Sequence, residues 1–295
     1  MLNIDCYSLE IINFKNGIFD KSIDATYIIH LLNNGRYDSI KDQLYKIKLT
    51  KKNYILINKG YKNCNKVLNE QKPYSDLVDC YLTIFENAKE KNYDNILILE
   101  DDFLLDNNLL NKNNINNINN INNFLINNKN NNIVYSFGIL PFIVIPYDYY
   151  NYKVLFSSGT HSMVYTKKMR NNTLLMDRIK IKDWEIFTHK YANKIMYNTP
   201  LCYQLFTITE NSSSWKDYYF YGINISKIWN NSIRNMYDYF HLDKDTKSYL
   251  YFYFFSKFVG IFIIIIVVLL VYFSIYFLFK KEVLTNKKKN KRNIM

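Results

Sequence analysis

The feature of this chain that most restricts its fold is an apolar segment that ends abruptly in three acidic residues. Residues 96–99 are alternating Ile and Leu, and they are followed directly by Glu100, Asp101 and Asp102. A short continuous apolar run predicts a strand buried on both faces, as in the parallel sheets of α/β proteins. The acids then lie at the carboxyl end of the strand, the edge at which open α/β sheets bind ligands.

Three adjacent carboxylates at the edge of an apolar core are unfavourable unless a cation or buried hydrogen-bond donors compensate them. Glu100 and Asp102 lie two residues apart, and both can reach one hard divalent ion such as Mg²⁺ or Mn²⁺. Such an ion keeps further coordination positions open for the oxygens of a diphosphate. The alternative interpretation is an acidic strand end that leads into a solvated loop.

The segments before the acids alternate between strand and helix patterns. Residues 25–32 form an apolar run that ends in Asn33-Asn34-Gly35, and residues 36–45 have helical apolar spacing. Residues 54–58 predict a second strand, and residues 75–90 predict a helix. The 295 residues accommodate one domain of this α/β class plus an appendage.

The acidic strand end and the helix-like segment Ser75–Glu90 before it resemble glycosyltransferase family 25, the lipopolysaccharide and collagen galactosyltransferase group. In that family an apolar strand ends in Leu-Glu-Asp-Asp, the metal-binding motif of the GT-A fold. The resemblance implies a Rossmann-like, mixed, mostly parallel sheet flanked by helices. It implies Mn²⁺ or Mg²⁺ at Glu100 and Asp102. It also implies a nucleotide-sugar donor, such as UDP-galactose or UDP-glucose, and an acceptor hydroxyl on a protein, glycan or lipid.

The resemblance extends to residues that would contact the donor. Arg36 fits an arginine that begins a helix near the nucleotide, and a helix start with a guanidinium suits a diphosphate; an exposed helix-cap arginine is the alternative. Asp101 belongs to the acidic motif, and Gln204 fits the family's Pro-x-x-x-Gln segment. His161 follows a Gly-Thr pair that matches the family's general form. It either completes the metal shell, touches the donor or is a packed structural histidine.

Transfer with inversion needs a carboxylate that takes the proton of the acceptor hydroxyl. Asp183 is the first candidate by its position in the motif, and Glu185 is the second. A helix-capping or ion-pairing function is the alternative for both. The chain departs from the family at Ile84, where a histidine is usual, and in its Asn-rich segment 107–132. These departures favour the alternative of an inactive tail-anchored scaffold or sugar-binding protein.

A second constraint comes from the segment Phe258–Phe279, which contains no charged residue and is bracketed by lysines. At about 1.5 Å per residue it spans a hydrocarbon layer of about 30 Å, which predicts a single transmembrane helix. The predicted organisation is an extension (1–19), a GT-A-like domain (20–241), a juxtamembrane linker (242–257), the span (258–279) and a basic tail (280–295).

The charge pattern bears on partners and on orientation. The net charge is +12, and about half of it lies in the tail, without the basic stripe of a nucleic-acid-binding protein. The tail favours a cytoplasmic carboxyl terminus, and it would also bind anionic lipid. Residues 1–15 lack the pattern of a signal peptide, which favours instead a tail-anchored protein with a cytosolic domain. The four cysteines predict neither a metal site nor a disulfide scaffold, so reduced thiols are the default expectation.

Overall fold

A mixed seven-stranded sheet forms the centre of the domain. The computed structural model describes residues 5–111, 114–205, 219–220, 223–242 and 244–292. Across the sheet the strand order is β1-β3-β2-β4-β7-β6-β8. These strands are β1 (Tyr7–Asn13), β2 (Ala25–Leu31), β3 (Lys52–Asn58), β4 (Asn95–Glu100), β6 (Ile133–Pro146), β7 (Asn151–Thr166) and β8 (Asn193–Tyr197).

The predicted apolar strand is the central element of this sheet. β4 pairs in parallel with β2, and β2 pairs in parallel with β3. On its other side β4 pairs with β7, which runs antiparallel to both β4 and β6. All residues of β4 before Glu100 are buried, as expected for a strand covered on both faces. The α/β class with a mixed sheet is therefore confirmed.

Helices cover both faces of the sheet. On one face lie α1 (Tyr37–Lys46) and α3 (Ile115–Asn128), and on the other lie α2 (Pro73–Glu90), α4 (Lys167–Leu174) and α5 (Trp184–Tyr191). The Asn-rich segment forms α3 because Ile121, Phe124 and Leu125 share one buried helical face. That packing outweighs the poor helix propensity of asparagine.

A short antiparallel ladder lies directly after the acids. It joins β5 (Phe103–Leu105) to β9 (Cys202–Gln204) and places Gln204 opposite Phe103. Asp102 therefore has a neighbour about a hundred positions later in the chain. A second two-stranded ladder, β10 (Tyr219–Phe220) with β11 (Ile223–Asn224), precedes helix α6 (Ile225–Tyr239).

The amino-terminal segment differs in two ways from the sequence-based expectation. Residues 1–19 include β1, which pairs with β3 and extends the sheet beyond the predicted domain start. Cys6 and Cys64 form a disulfide with their Cα atoms 5.5 Å apart. The expectation of reduced thiols was wrong for this pair, because the contact depends on how the loop after β3 folds back. Cys80 and Cys202 are free and buried.

The carboxyl-terminal helix α7 (Tyr249–Arg292) is long and apolar enough between Tyr249 and Phe277 to cross a membrane. Its first turns pack on the sheet, with Tyr249, Tyr253 and Ser256 buried. Residues 249–257, assigned to a linker from the sequence, therefore belong to this helix and contact the domain. At Gly260 the helix meets β6 so closely that an added Cβ would lie 1.6 Å from the Val144 carbonyl oxygen.

Candidate functional site

The middle acid of the motif, Asp101, is held by donors from the β2–α1 connection. It accepts hydrogen bonds from the Leu31 backbone N–H at 3.1 Å, from the Asn34 side chain and from Arg36 Nη1 at 2.8 Å. His30 Nδ1 lies 3.6 Å from the same carboxylate. Burial alone would raise the pKa of Asp101, but His30, Leu31 and Arg36 hold it below its usual value. Asp101 is therefore an ionised anchor for the Arg36 guanidinium.

The first acid, Glu100, points toward α2 and β7. Its Oε1 accepts hydrogen bonds from the Tyr81 hydroxyl at 2.9 Å and from Thr160 Oγ1 at 2.6 Å. Burial, together with the nearby charge of Asp102, raises the pKa of Glu100 to about 7. Near neutral pH this carboxyl group is therefore poised between its two protonation states.

The third acid, Asp102, faces Gln204 and Arg36. Its Oδ2 accepts a hydrogen bond from Gln204 Nε2 at 2.7 Å and lies 3.7 Å from Arg36 Nη1. Its Oδ1 is buried and makes no hydrogen bond within the described chain. Burial raises the pKa of Asp102, and the Asp101 charge adds to the effect. An unpaired buried carboxylate oxygen is costly, so this atom requires a donor or a cation.

His161 is enclosed behind Gln204. An added Cβ at Gly138 would lie 2.8 Å from His161 Nε2, so only glycine leaves room for the ring. The ring lies near the Cys202 carbonyl and the Gln204 side chain but forms no hydrogen bond of good geometry with either. Burial lowers the pKa of His161 to about 3, so the imidazole is neutral at any physiological pH. Neutral imidazole is the form that ligates metals, although this ring is fully enclosed.

The two candidate bases have different environments. Asp183 is the N-cap of α5, where its Oδ1 accepts a hydrogen bond from the Ile186 backbone N–H at 2.9 Å. Glu185, one position into the helix, lies beside the Gly159 backbone and near Lys194. Burial raises the pKa of Glu185 to about 7, with Lys194 opposing that shift.

Lys194 is a buried cation with two polar neighbours. Its Nζ donates to Ser157 Oγ at 2.9 Å and lies 3.5 Å from His189 Nε2. Burial lowers the pKa of Lys194 to about 8, while Glu185 stabilises its charged form. The Glu185 carboxylate and the Lys194 ammonium therefore favour each other's charged form.

The fold therefore brings most of the predicted residues to one edge of the sheet. Arg36, Asp101, Asp102 and Gln204 form one connected group, and Glu100 continues it through Thr160 toward Gly159 and Glu185. Asp183 is occupied as a helix cap. Sequence reasoning did not assign site functions to His30, Tyr81, Thr160 or Lys194. Thr160 carried a signal, because it lies in the Gly-Thr pair of the resemblance.

The donor set partly fits a divalent cation. No group of three or more His, Cys, Asp or Glu side chains in the described part of the chain is arranged to hold a metal. However, Mg²⁺ is commonly bound by one or two carboxylates together with substrate phosphates. Asp102 Oδ1 has no hydrogen-bond partner among the described residues, and burial raises the pKa values of Glu100 and Asp102, so a bound cation would stabilise both carboxylates. These two side chains therefore suit an ion that arrives with its anionic substrate.

The raised pKa of Glu100 predicts a pH-dependent difference in stability between the wild type and a Glu100→Gln variant. A carboxyl group with a folded-state pKa of about 7 stabilises the fold fully below its unfolded value of about 4.5. That contribution is lost as the pH rises through 7. In EDTA, Glu100→Gln should therefore gain stability relative to wild type between pH 4.5 and 8, by up to about 3 kcal/mol.

Urea unfolding of both proteins across this pH range measures the difference. Any other groups that titrate in this range are common to both proteins, so the comparison isolates Glu100. Gln retains an oxygen that accepts from Tyr81 and Thr160, so the hydrogen bonds are preserved. A difference in stability that does not change with pH would show that Glu100 titrates normally.

Comparisons with known proteins do not assign a family. No family model matches the chain, and no curated protein matches it. Among solved structures, the crystal structure of A197 from STIV is similar, with 15% sequence identity and a TM-score of 0.34. The similarity covers 63% of this chain and 86% of that chain. A likeness this distant supports no conclusion about activity.

Proposed function

We propose that this protein is a membrane-anchored GT-A-type glycosyltransferase similar to family 25, which transfers a hexose from UDP-hexose to an acceptor hydroxyl. The main supporting observation is the arrangement of the acids at the carboxyl end of β4. Asp101 holds Arg36, whereas Asp102 has a buried oxygen that finds no hydrogen-bond partner among the described residues. This strand end therefore offers a fixed guanidinium for a diphosphate and a free carboxylate oxygen for a metal ion.

The diphosphate would bind at Arg36 and the start of α1. Arg36 is the N-cap residue of this helix, and its side chain is 34% exposed despite the bond to Asp101. Backbone N–H groups at a helix start and a guanidinium both favour phosphate oxygens. Because Asp101 orients the guanidinium before the donor binds, little side-chain entropy is lost on binding.

Asp102 and Glu100 would hold Mn²⁺ or Mg²⁺. When bound, the ion would neutralise the negative charge that develops on the departing nucleotide diphosphate. Gln204 fixes the Asp102 carboxylate through Oδ2, which leaves Oδ1 for the cation. Tyr81 and Thr160 both bond the same oxygen of Glu100, Oε1, and thereby orient the other one.

Glu185 is the better supported of the two candidate bases. With a pKa of about 7, it is ionised in a large fraction of molecules at neutral pH and still takes up a proton readily. Lys194 stabilises its carboxylate form. The Asp183 carboxylate is already engaged in capping α5.

The disulfide supports a lumenal or extracellular domain with a cytosolic tail. Disulfides such as Cys6–Cys64 persist in oxidising compartments and are rare in the cytosol. The lysine-rich segment after the span favours the same orientation by the positive-inside rule. This proposal replaces the cytosolic placement favoured by the amino-terminal sequence.

The proposed activity is tested with the full-length protein in detergent, since the first turns of α7 pack on the domain. We expect the protein to hydrolyse UDP-galactose or UDP-glucose slowly in the presence of Mn²⁺ or Mg²⁺. This hydrolysis should stop when EDTA removes the metal ion. Release of UDP is measured across a panel of nucleotide sugars. No turnover and no binding across the panel would favour the inactive scaffold.

A further inference from the structure

The turn between β6 and β7 carries an exposed aromatic group at its tip. Tyr147, Tyr149 and Tyr150 are 50%, 87% and 38% exposed. Tyrosine has an apolar ring and a polar hydroxyl, and this combination is enriched where membrane hydrocarbon meets the headgroup layer. Tyr147 also contacts Phe124 of α3, so the turn is attached to the body of the domain.

Three contacts place this tip level with the start of the predicted span. Lys257, the last charged residue before the apolar run, donates from Nζ to the Asn198 carbonyl oxygen at 2.5 Å. The Asn198 N–H in turn donates to the Tyr150 carbonyl oxygen at 3.0 Å. Three positions after Lys257, Gly260 packs against the Val144 carbonyl at the end of β6.

The turn also extends from the edge of the sheet that carries the acids. Ile98 in β4 and Ser136 in β6 are level, because both pair with Met163 of β7. β4 ends at Glu100, two residues further, whereas β6 runs parallel to it and continues to Pro146. However, the β6–β7 ladder contains four register shifts, and Tyr152, just after the turn, pairs with Met196 of β8, which is itself opposite Ser136. The hairpin therefore bends back, and its turn lies near the level of the acids at the same edge of the sheet.

We propose that Tyr147, Tyr149 and Tyr150 insert into the headgroup layer of the lipid bilayer beside α7. The domain then lies against the membrane surface with its acidic edge turned toward the bilayer. The aromatic surface continues on α7 itself, where Tyr251, Phe254 and Phe258 are exposed. This inference rests on α7 crossing a membrane and is independent of the proposed transferase activity.

Asp148, the acidic residue in the turn, is compatible with a position in the headgroup layer. Asp148 Oδ1 accepts hydrogen bonds from the backbone N–H groups of Tyr150 and Asn151, both at 2.8 Å. Its charge is therefore partly compensated within the turn. A carboxylate still disfavours the hydrocarbon core, which limits the tip to the headgroup layer.

The experiment uses spin labels on the full-length protein in vesicles of phosphatidylcholine with phosphatidylglycerol. Labels are attached at Tyr149→Cys, at Leu270→Cys inside the span and at Tyr191→Cys. Tyr191 is the aqueous control, because its carbonyl contacts Asn132 at the opposite end of β6. The free cysteines are buried and the other two form a disulfide, so labelling of wild type reports background. Collisions with oxygen and with a water-soluble nickel chelate report depth.

We expect the label at position 149 to lie between the deep label at 270 and the aqueous label at 191. A 149 label as water-accessible as the 191 label would overturn the docking while leaving the span intact. A water-like value at 270 would overturn the span and the docking together. These results do not depend on whether the protein turns over any sugar nucleotide.

A second label keeps the three tyrosines intact. Lys153→Cys lies in β7 directly after the turn. Its label should report the headgroup layer in the otherwise wild-type chain. It should shift to the aqueous value when all three tyrosines are replaced by serine. No shift would contradict a role for the tyrosines in docking.

Discussion

Replacing Asp102 by Asn is expected to reduce Mn²⁺-dependent UDP-hexose turnover by more than about 100-fold. Losing a residue that only orients a metal ligand costs up to about 100-fold, and losing the ligand itself should cost more. Asn keeps the size of the side chain and can still accept the hydrogen bond from Gln204. It lacks the negative charge that the buried Oδ1 would direct at the ion. Turnover is measured as UDP release over a titration of Mn²⁺.

A readout other than activity separates metal loss from a folding defect. Mn²⁺ with UDP should raise the Tm of wild type and should leave the Tm of Asp102→Asn unchanged. Asp94→Asn is the matched control, because Asp94 directly precedes the same strand at its other end and pairs with surface lysines. Full activity in Asp102→Asn, or equal losses in both variants, would remove Asp102 from the proposed site.

Replacing Glu185 by Gln is expected to reduce turnover by about 10²- to 10⁴-fold, the range for losing a general base, with the affinity for UDP unchanged. Asp183→Asn is the matched comparison, because asparagine caps a helix as well as aspartate does. It should retain activity near the wild-type level. Turnover and UDP affinity are measured for both variants. If Asp183→Asn loses activity and Glu185→Gln does not, the assignment of the base is reversed.

The pH profile gives a further check on the same pair. Glu185 accepts a proton only when ionised, so wild-type turnover should rise with pH through about 7. In Lys194→Met the cation that favours the carboxylate is absent, and the rising limb should move to higher pH. If the rising part of the pH profile is at the same pH in Lys194→Met as in wild type, Lys194 does not influence the catalytic carboxylate.

Some site features followed from the sequence and others required the fold. The acids were placed correctly at the carboxyl end of a buried strand, because an unbroken apolar run records burial on both faces. The different hydrogen-bond partners and protonation tendencies of the three acids were not predictable from the sequence. Asp101 is held by the β2–α1 connection and Asp102 by β9, and these donors come from distant parts of the chain.

The same contrast applies to the two candidate bases. Asp183 and Glu185 are two residues apart, and motif position favoured Asp183. The start of α5 orients Asp183 toward its own backbone, whereas the following residues turn Glu185 toward β7 and Lys194. A local sequence pattern does not distinguish a capping carboxylate from a buried one when both begin a helix.

The sequence by itself determined the α/β class, the acidic strand end and the apolar carboxyl-terminal helix. These properties depend on periodicity and on the length of apolar segments, which are written locally in the chain. Tertiary structure alone decided the Cys6–Cys64 pairing, the packing of α7 on β6 and the donors around each acid. Those contacts join residues far apart in sequence, and they exist only once the strand order has brought the segments together.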